Sequence, residues 1–321
     1  TNILVEAILQ ILDSGQDIYK KIGHLASGAI YEKQTKTWTI FTNPTGDRAV
    51  FYYFNEKTDE YIIGSQLDYL TKFMKQNQIA RNPDYHGLSC LLDFGTFTDE
   101  STGIKNIKRL YPGDFLIINS KGMSVNTYSN MSDYSPTEKS LEEAIEELDQ
   151  AFLDSMKRLI QKNKEYNLKI IADLSGGLDS RIICYALKRL GYEEGILLSY
   201  GQSTSFDVKT AHQVALNLNM DWYFKAMDHP KFIADIDNLL QLNSGVNYYY
   251  HITGGKDFLE LLDHDICGME LTGFLGDIYE NSMLTKNGLD KPDAFFERFK
   301  SSSFIEIDQT LSYSLQINRF N

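Results

Sequence analysis

The chain has 321 residues, 42% hydrophobic and 23% charged, a composition typical of a globular protein with enough length for about two domains. Its formal net charge of −13 argues against a nucleic-acid partner, because the phosphate backbone would be repelled. The sequence has no run of about 18 apolar residues and no signal-peptide pattern, so it predicts no membrane span and a cytoplasmic location.

Up to residue 128, the sequence has the short aromatic and β-branched runs of strands, separated by turn residues. Apolar stripes at helical spacing predict two helices, at residues 3–14 and 66–77. A turn is predicted at residues 111–114. The predicted strands are residues 37–40, 50–54, 61–63, 115–118 and 123–125. We therefore expect a β-rich first domain.

A polar stretch at residues 129–140 is the best candidate for a linker. Ser140 and Glu143 form a capping-box pattern, which predicts the start of a long helix. One face of this helix is expected to carry Leu141, Ala144, Ile145, Leu148, Phe152, Met156 and Leu159. We place the two domains at residues 1–130 and 140–321.

Beyond the long helix, strand and helix patterns alternate. Helices are predicted at residues 181–190, where Gly191 ends the helix, and at 207–218. The predicted strands are residues 168–174, 195–200 and 222–225. Strands separated by helices indicate a parallel sheet, so the second domain is expected to be of the α/β class.

The most informative motif joins the predicted strand at 168–174 to the next helix. It reads Ser175, Gly176, Gly177, Leu178, Asp179 and Ser180. The backbone N–H groups of such a turn, and the helix N-terminus after it, suit a phosphate group. The glycines allow close approach and positive φ, and Asp179 can hold a cation against the anion. The spacing is neither GxxxxGK[ST] nor GxGxxG. It predicts a nucleotide phosphate site, with an ordinary turn between strand and helix as the alternative.

Two further segments are predicted to contribute to this site. Ligands of open parallel sheets bind at the carboxyl ends of the strands, where Leu198 or Tyr200 can supply an apolar wall. Gly201 can let a base approach the backbone. Two glycines precede Asp277, whose carboxylate can join Asp179 on one Mg²⁺ ion, although a turn with an Asp N-cap is the commoner explanation.

Other polar and aromatic residues are given structural interpretations. Asp207 opens a predicted helix and is interpreted as its N-cap. The aromatic cluster at residues 247–251 is interpreted as packing or a partner contact. The histidines show no HxxxH or HExxH spacing, and the three cysteines, Cys90, Cys184 and Cys267, are scattered. Neither a disulfide framework nor a zinc site is expected.

The motif at residues 175–180 resembles the SGGxDS loop of the ATP-pyrophosphatase (PP-loop) superfamily. Over nearly its whole length, the chain is similar to the asparagine synthetase family. The first half has similarities to the family's L-x-G-x-F-A, D-x-x-G-x-R-P-L-Y-Y, S-E-x-K and L-x-P-G runs, at residues 25–31, 43–53, 64–67 and 110–114. In the second half, residues 198–201, Asp207 and residues 272–277 follow in the family's order.

This resemblance implies a partial Ntn-hydrolase-like, β-rich sandwich domain of the glutaminase type, followed by a PP-loop (adenine nucleotide α-hydrolase-like) synthetase domain. It implies a carbon–nitrogen ligase that uses ATP to adenylate a carboxylic acid, releases pyrophosphate and joins an amine, often ammonia from glutamine. ATP and Mg²⁺ are the implied cofactors. The residues implied to hold the nucleotide are Ser175, Gly176, Gly177, Asp179, Ser180, Leu198 and Gly201, and those implied to hold Mg²⁺ are Asp179 and Asp277.

The chain departs from the family's pattern in ways that bear on activity. Family members hydrolyse glutamine with an N-terminal Cys, whereas this chain opens with Thr1, which is not expected to be a nucleophile. Phe274 and Ile278 stand at positions that are acidic in the family, and a family Lys falls beyond Asn321. We expect either a piece that lacks both ends or a degenerate glutaminase half.

Two alternatives stay open at this point. One is a β-lactam synthetase-like or macrocyclase-like adenylating enzyme with an inactive first domain, and the other is a nucleotide-binding pseudoenzyme. The expected partners are a small carboxylic acid and an amine donor, neither identified by the sequence. Nucleic acid and membranes are not expected as partners, and a homodimer is left open.

Overall fold

A computed structural model describes residues 2–15, 17–21, 25–55, 57–58, 60–94, 96–130, 138–229, 241, 256 and 258–273. Through residue 130 the described chain belongs to one compact unit, and residues 138–229 and 258–273 belong to a second. Each unit is described by itself below.

The first unit contains helices and antiparallel strands. Its helices are α1 (Asn2–Asp13), α2 (Ile18–Lys21), α3 (Leu67–Gln76) and α4 (Tyr85–Phe94). Its strands are β1 (Ser27–Glu32), β2 (Thr37–Thr42), β3 (Phe51–Asn55), β4 (Glu60–Gly64), β5 (Ile107–Arg109), β6 (Asp114–Asn119) and β7 (Gly122–Thr127). The predicted strands and both predicted helices are confirmed within a few residues, whereas α2, α4, β1 and β5 were not predicted.

Two antiparallel sheets organise this unit, one in the order β1-β2-β6-β7 and the other in the order β4-β3-β5. Side chains from both sheets share one core, which contains Ile40, Tyr52 and Leu116. The opposite face of β3 carries Phe51 and Tyr53, which pack with the buried Leu70 of α3. Alternate residues of β3 thus serve two cores, as the two-residue period of a strand requires.

The second unit is an α/β layer structure. Its elements are α5 (Leu141–Glu165), β8 (Lys169–Asp173), α6 (Leu178–Arg189), β9 (Ile196–Gly201), α7 (Phe206–Leu218), β10 (Asp221–Ala226) and β11 (Cys267–Leu271). The strands form one parallel sheet in the order β10-β9-β8-β11. Antiparallel sheets followed by a parallel sheet confirm the predicted mixture of α and β structure.

Each face of the parallel sheet has its own core. On one face, Ala172 of β8 packs in a cluster with Met156 of α5, Leu187 of α6 and Ala211 of α7. The other face has a smaller cluster that contains Ile171, Ile196, Leu198, Phe258 and Cys267. The buried runs of β8 and β9 are therefore nearly continuous in hydrophobicity, as expected for central strands of a parallel sheet.

Three local predictions about the second unit need correction. Helix α6 begins at Leu178, three residues earlier than the predicted start at residue 181. The predicted apolar face of α5 is buried only in its second half, because Leu141 and Leu148 are 70% and 72% exposed. Strand β11 beside β8 was not predicted.

Among the residues described, none of the helices is both long and apolar enough to cross a bilayer.

Candidate functional site

A cavity of about 310 Å³ lies at the carboxyl ends of β8 and β9, beside the N-terminus of α6. Parallel strands place their carboxyl ends at one edge of the sheet, which is where such folds bind ligands. The side chains and backbone that line the cavity belong to Asp173, Leu174, Ser175, Gly177, Asp179, Ser180, Leu198, Ser199, Tyr200, Thr272 and Gly273. Most of the predicted loop therefore faces this cavity.

The hydroxyl group of Ser180 holds the loop in shape. It accepts a hydrogen bond from the backbone N–H of Ser175 at 3.0 Å and lies 2.9 Å from the Ser175 hydroxyl oxygen. The hydroxyl oxygen of Ser175 also accepts a hydrogen bond from the backbone N–H of Gly177 at 3.1 Å. Ser180 is buried, so its hydrogen bonds to Ser175 are partly shielded from water, whereas the one from Gly177 to Ser175 is exposed. The two serines of the motif thus tie the loop to the first turn of α6.

The N-terminus of α6 lacks the side-chain cap that two other helices of the unit have. Ser140 caps α5, with a capping box completed by Glu143, and Ser205 caps α7 by accepting from the Val208 N–H. The N-cap of α6 is Gly177, which has no side chain to offer. Since first-turn N–H groups need acceptors from outside the helix, α6 presents donors and a partial positive charge to a ligand in the cavity.

Gly176 is required because the loop passes close to α7. A Cβ atom at this position would lie 2.5 Å from Oδ1 and 3.0 Å from Cα of Asp207. Close approach is therefore the reason for the glycine, whereas the expected positive φ is absent from both Gly176 and Gly177. The interpretation of Asp207 as an N-cap is wrong, because Ser205 caps α7 and Asp207 lies in its first turn.

Gly273 brings the end of β11 against the loop. A Cβ atom there would lie 2.4 Å from the backbone nitrogen of Ser180, so a larger residue would collide with the backbone of α6. This contact places Thr272 in the cavity wall beside the loop. The first residues of the second predicted motif, Thr272 and Gly273, therefore lie at the site. Phe274, Asp277 and Ile278 lie outside the described residues.

The predicted wall from β9 is present in part. Leu198 and Tyr200 line the cavity, but Gly201 and Gly176 are not among its lining residues. Ser199 lies between Leu198 and Tyr200 in β9. Its hydroxyl group donates a hydrogen bond to the Leu174 carbonyl at 2.6 Å and accepts one from Trp222 Nε1 at 2.8 Å. This buried hydroxyl fixes the end of β8, from which the loop departs.

A lining residue missed by the sequence analysis is Asp173, the last residue of β8. The pKa of Asp173 is raised to about 7, mainly because its carboxyl group is buried. Repulsion by the Glu270 charge and hydrogen bonding with Glu270 also raise this pKa. Burial, the Asp173 charge and the Glu270 charge raise the pKa of Tyr200. An acidic residue at the end of an otherwise apolar strand, directly before the loop, was a signal that could have revealed this group.

A divalent-metal site depends on residues beyond those that the structure describes. Within the described ranges, no group of three or more His, Cys, Asp or Glu side chains is placed to hold a metal ion. Asp179 lies in the first turn of α6 and lines the cavity. Because Asp277 is not described, the Mg²⁺ site formed by these two carboxylates stays a prediction.

Burial distinguishes Cys184 from a reactive thiol. All three cysteines are buried, and burial raises the pKa of Cys184 to about 12. A thiol with such a pKa remains protonated near neutral pH, so Cys184 is not suited to act as a nucleophile.

Comparison with protein families gives information on the first unit. Residues 1–129 match the model of a glutamine amidotransferase domain. This amidotransferase domain contains the two antiparallel sheets described above, and the match is consistent with the N-terminal domain of asparagine synthetase-type proteins. It points to a family of enzymes that use glutamine. No curated protein matches the chain.

Proposed function

We propose that this chain is an ATP-dependent, amide-forming ligase of the asparagine synthetase type, which adenylates a carboxylate and releases pyrophosphate. The observation that carries the proposal is the uncapped N-terminus of α6 beside a cavity at the carboxyl edge of a parallel sheet. The SGGxDS spacing of the loop supports a PP-loop fold for this unit. The amidotransferase match supports an Ntn-hydrolase-like fold for the first unit.

The loop fits the phosphate groups of ATP in shape and charge. Ser175, Gly177 and Ser180 line the cavity, and the first-turn N–H groups of α6 can donate to phosphate oxygens. Gly176 keeps the backbone close to α7 and leaves the loop free of a bulky side chain. Asp179, together with Asp277, would hold Mg²⁺, which when bound neutralises negative charge on the phosphates.

In the proposed reaction, a carboxylate oxygen of the acid attacks the α-phosphorus of ATP. The new oxygen–phosphorus bond forms as the bond from the α-phosphorus to the bridging oxygen breaks, and the electron pair leaves with pyrophosphate. An amine then attacks the acyl carbon, and AMP departs as the amide forms and a proton is lost. The α6 N-terminus contributes by stabilising the charge that builds up on the departing pyrophosphate.

Glutamine is the amine source that the amidotransferase match favours. In this scheme the second unit activates the acid and takes ammonia that an amidotransferase of this type releases from glutamine, with Thr1 not assigned as the nucleophile. The acid is a small molecule that the lining residues do not identify.

ATP binding by isothermal titration calorimetry tests the proposal. We expect binding by the full chain that depends on Mg²⁺ and that Asp179→Ala weakens by at least about tenfold, because charge-assisted contacts are lost. Asp221→Ala is the matched control, since Asp221 is an exposed carboxylate at the start of β10, the strand end away from the cavity. A folded chain that binds no ATP, with or without Mg²⁺, would contradict the proposal.

Pyrophosphate release distinguishes a ligase from a nucleotide-binding protein without turnover. Candidate carboxylic acids are added with ATP, Mg²⁺ and ammonium as the amine, and the pyrophosphate and AMP formed are measured. We expect both products to form in equal amounts with a suitable acid, and neither with Asp179→Ala. Release of phosphate and ADP instead would mean that the bond between the β and γ phosphates is cleaved, against the proposed chemistry.

A further inference from the structure

The carboxyl group of Asp173 lies in the cavity wall, and the proposed phosphate chemistry gives it no role. It lines the same cavity as Ser175 and Asp179, and it ends the strand from which the loop departs. Its Oδ1 atom is buried and has no hydrogen-bond partner among the described residues.

Apolar side chains and the carboxyl group of Glu270 flank Asp173, so a second carboxyl group here is costly unless a partner is supplied. Ile171 and Leu198 belong to the buried cluster on this face of the sheet, and Leu198 is opposite Asp173 in the register of β8 and β9. Glu270 lies opposite Ile171 in β11, which places both carboxyl groups on this face. A buried acceptor without a donor is destabilising, and such groups in native proteins usually have a partner.

We propose that Asp173 recognises the ribose of the nucleotide, its carboxyl group accepting a hydrogen bond from a ribose hydroxyl while the phosphates bind the loop at residues 175–180. This inference rests on the proposed function, because it assumes that ATP occupies the cavity. It assigns to Asp173 a role in nucleotide specificity that is separate from phosphate and metal binding.

The chemistry of the nucleotide points to the ribose. At neutral pH the phosphate oxygens of ATP are mainly acceptors and carry negative charge, so a carboxyl group attracts them poorly. Ribose hydroxyl groups are neutral donors. Carboxylates near the phosphate loop of dinucleotide-binding folds recognise ribose hydroxyls in this way. Leu198 and Tyr200 line the same cavity and offer apolar surface to the base.

Titrations with nucleotide analogues test the inference in the full chain. ATP, 2′-deoxy-ATP and 3′-deoxy-ATP are each titrated, with Mg²⁺, into the wild type, Asp173→Ala and Asp173→Asn. We expect the wild type to bind ATP about tenfold more tightly than at least one deoxy analogue, as one buried hydrogen bond allows. In Asp173→Ala the ratio of the affinity for ATP to the affinity for that deoxy analogue should fall to about one. The affinity for the deoxy analogue itself should stay unchanged.

The Asn variant separates recognition from a structural role. Its amide oxygen can still accept from a hydroxyl, and its NH₂ group can donate to Glu270, so most of the preference for ATP should remain. Glu270→Gln is a second control, because it leaves the Asp173 acceptor in place. A purely structural role would instead weaken ATP and deoxy analogues equally in Asp173→Ala.

Three results would overturn the inference. The first is equal binding of ATP and both deoxy analogues by the wild type, and the second is a ribose preference that persists in Asp173→Ala. The third is weaker binding of purine riboside triphosphate than of ATP by the wild type, with the difference lost in Asp173→Ala, because this analogue lacks only the 6-amino group and the contact would then be to the base. Each of these leaves the proposed function intact, whereas a folded wild type that binds no ATP overturns both proposals.

Discussion

At the scale of single residues, Ser180 connects the loop to its helix. Its hydroxyl group accepts from the Ser175 backbone and contacts the Ser175 hydroxyl, while Ser175 in turn accepts from Gly177. Two small side chains thus hold a segment whose glycines would otherwise leave it flexible. The backbone of the loop is then arranged before a ligand arrives, which lowers the entropic cost of binding.

Replacing Ser180 with Ala should weaken ATP binding about tenfold and lower the free energy of unfolding by about 1 kcal/mol, because the Ser175 N–H loses its acceptor in the part-buried loop. Calorimetry and urea unfolding measure the two effects. Ser140→Ala is the control, since loss of the α5 cap should cost about 1 kcal/mol of stability without changing ATP affinity. Unchanged ATP affinity in Ser180→Ala would show that the loop does not depend on this hydroxyl.

Asp173 should make the stability of the second unit depend on pH. Its pKa is raised to about 7 in the folded state, so between about pH 4 and pH 7 the folded chain binds more protons than the unfolded chain. The free energy of unfolding should therefore fall as pH rises through this range, by at most about 4 kcal/mol, and level off above it. Asp173→Asn should remove this decline.

Urea unfolding at pH 5 and pH 8 measures this effect. The chain has two tryptophans, Trp38 in the first unit and Trp222 in the second. A Trp38→Phe background therefore makes fluorescence report on the second unit, and Asp221→Asn serves as a control carboxylate. If Asp173→Asn and its parent lose stability equally between the two pH values, Asp173 does not have a raised pKa.

At the scale of elements, three helices of the second unit differ in how they begin. Ser140 and Ser205 cap α5 and α7, but only the start of α5 was predicted with its correct cap, from the capping box of Ser140 and Glu143, whereas the start of α7 was attributed to Asp207. The start of α6 was placed three residues too late, since Gly177 gives no such signal and Leu178 is exposed. A helix start without a side-chain cap lacks the features that mark an ordinary start.

The periodicity of α5 shows a second limit of sequence reasoning. Leu141, Leu148 and Met156 share a predicted face, yet only Met156 is buried. The spacing of apolar residues determines which side chains lie on one face of a helix. Whether another element covers that face depends on the length and position of the neighbouring elements, which the local pattern does not contain.

This difference predicts unequal effects of substitution along α5. Leu148→Gln should change the free energy of unfolding by less than about 0.5 kcal/mol, because its side chain is exposed. Met156→Ala should lower it by about 2–4 kcal/mol, because Met156 is 3% exposed in the main core of the unit. Urea unfolding followed by Trp222 fluorescence compares them, and similar costs at both positions would mean that the first half of α5 is covered.

The junction between β11 and α6 gives another prediction at this scale. Gly273→Ala should lower the free energy of unfolding by about 1–3 kcal/mol and weaken ATP binding, because its Cβ atom would collide with the backbone of Ser180. Gly103→Ala is the control, since a Cβ atom there would make only an ordinary contact with Leu88 at 3.4 Å. ATP affinity unaffected by Gly273→Ala would separate β11 from the site.

At the scale of the whole chain, the sequence predicted the succession of elements better than their arrangement. Alternating strands and helices indicated a parallel sheet, and β8, β9 and β10 lie in it as neighbours. The partner on the other side of β8 is β11, about a hundred residues further along the chain, and its five residues carry no mark of that position. Thr272 was weakly placed for this reason, because only pairing between distant strands brings it beside the loop, whereas Asp173 directly precedes the loop and could have been noticed in the sequence.

The uncapped start of α6 also has a consequence for hydrogen exchange. First-turn amides without an acceptor exchange quickly with solvent deuterium, and an anion bound at the helix end would protect them. The corresponding turns of α5 and α7 have their serine caps with or without a ligand. Deuterium uptake at residues 178–180, compared with those two turns, would therefore report occupancy of the site before any substrate acid is known.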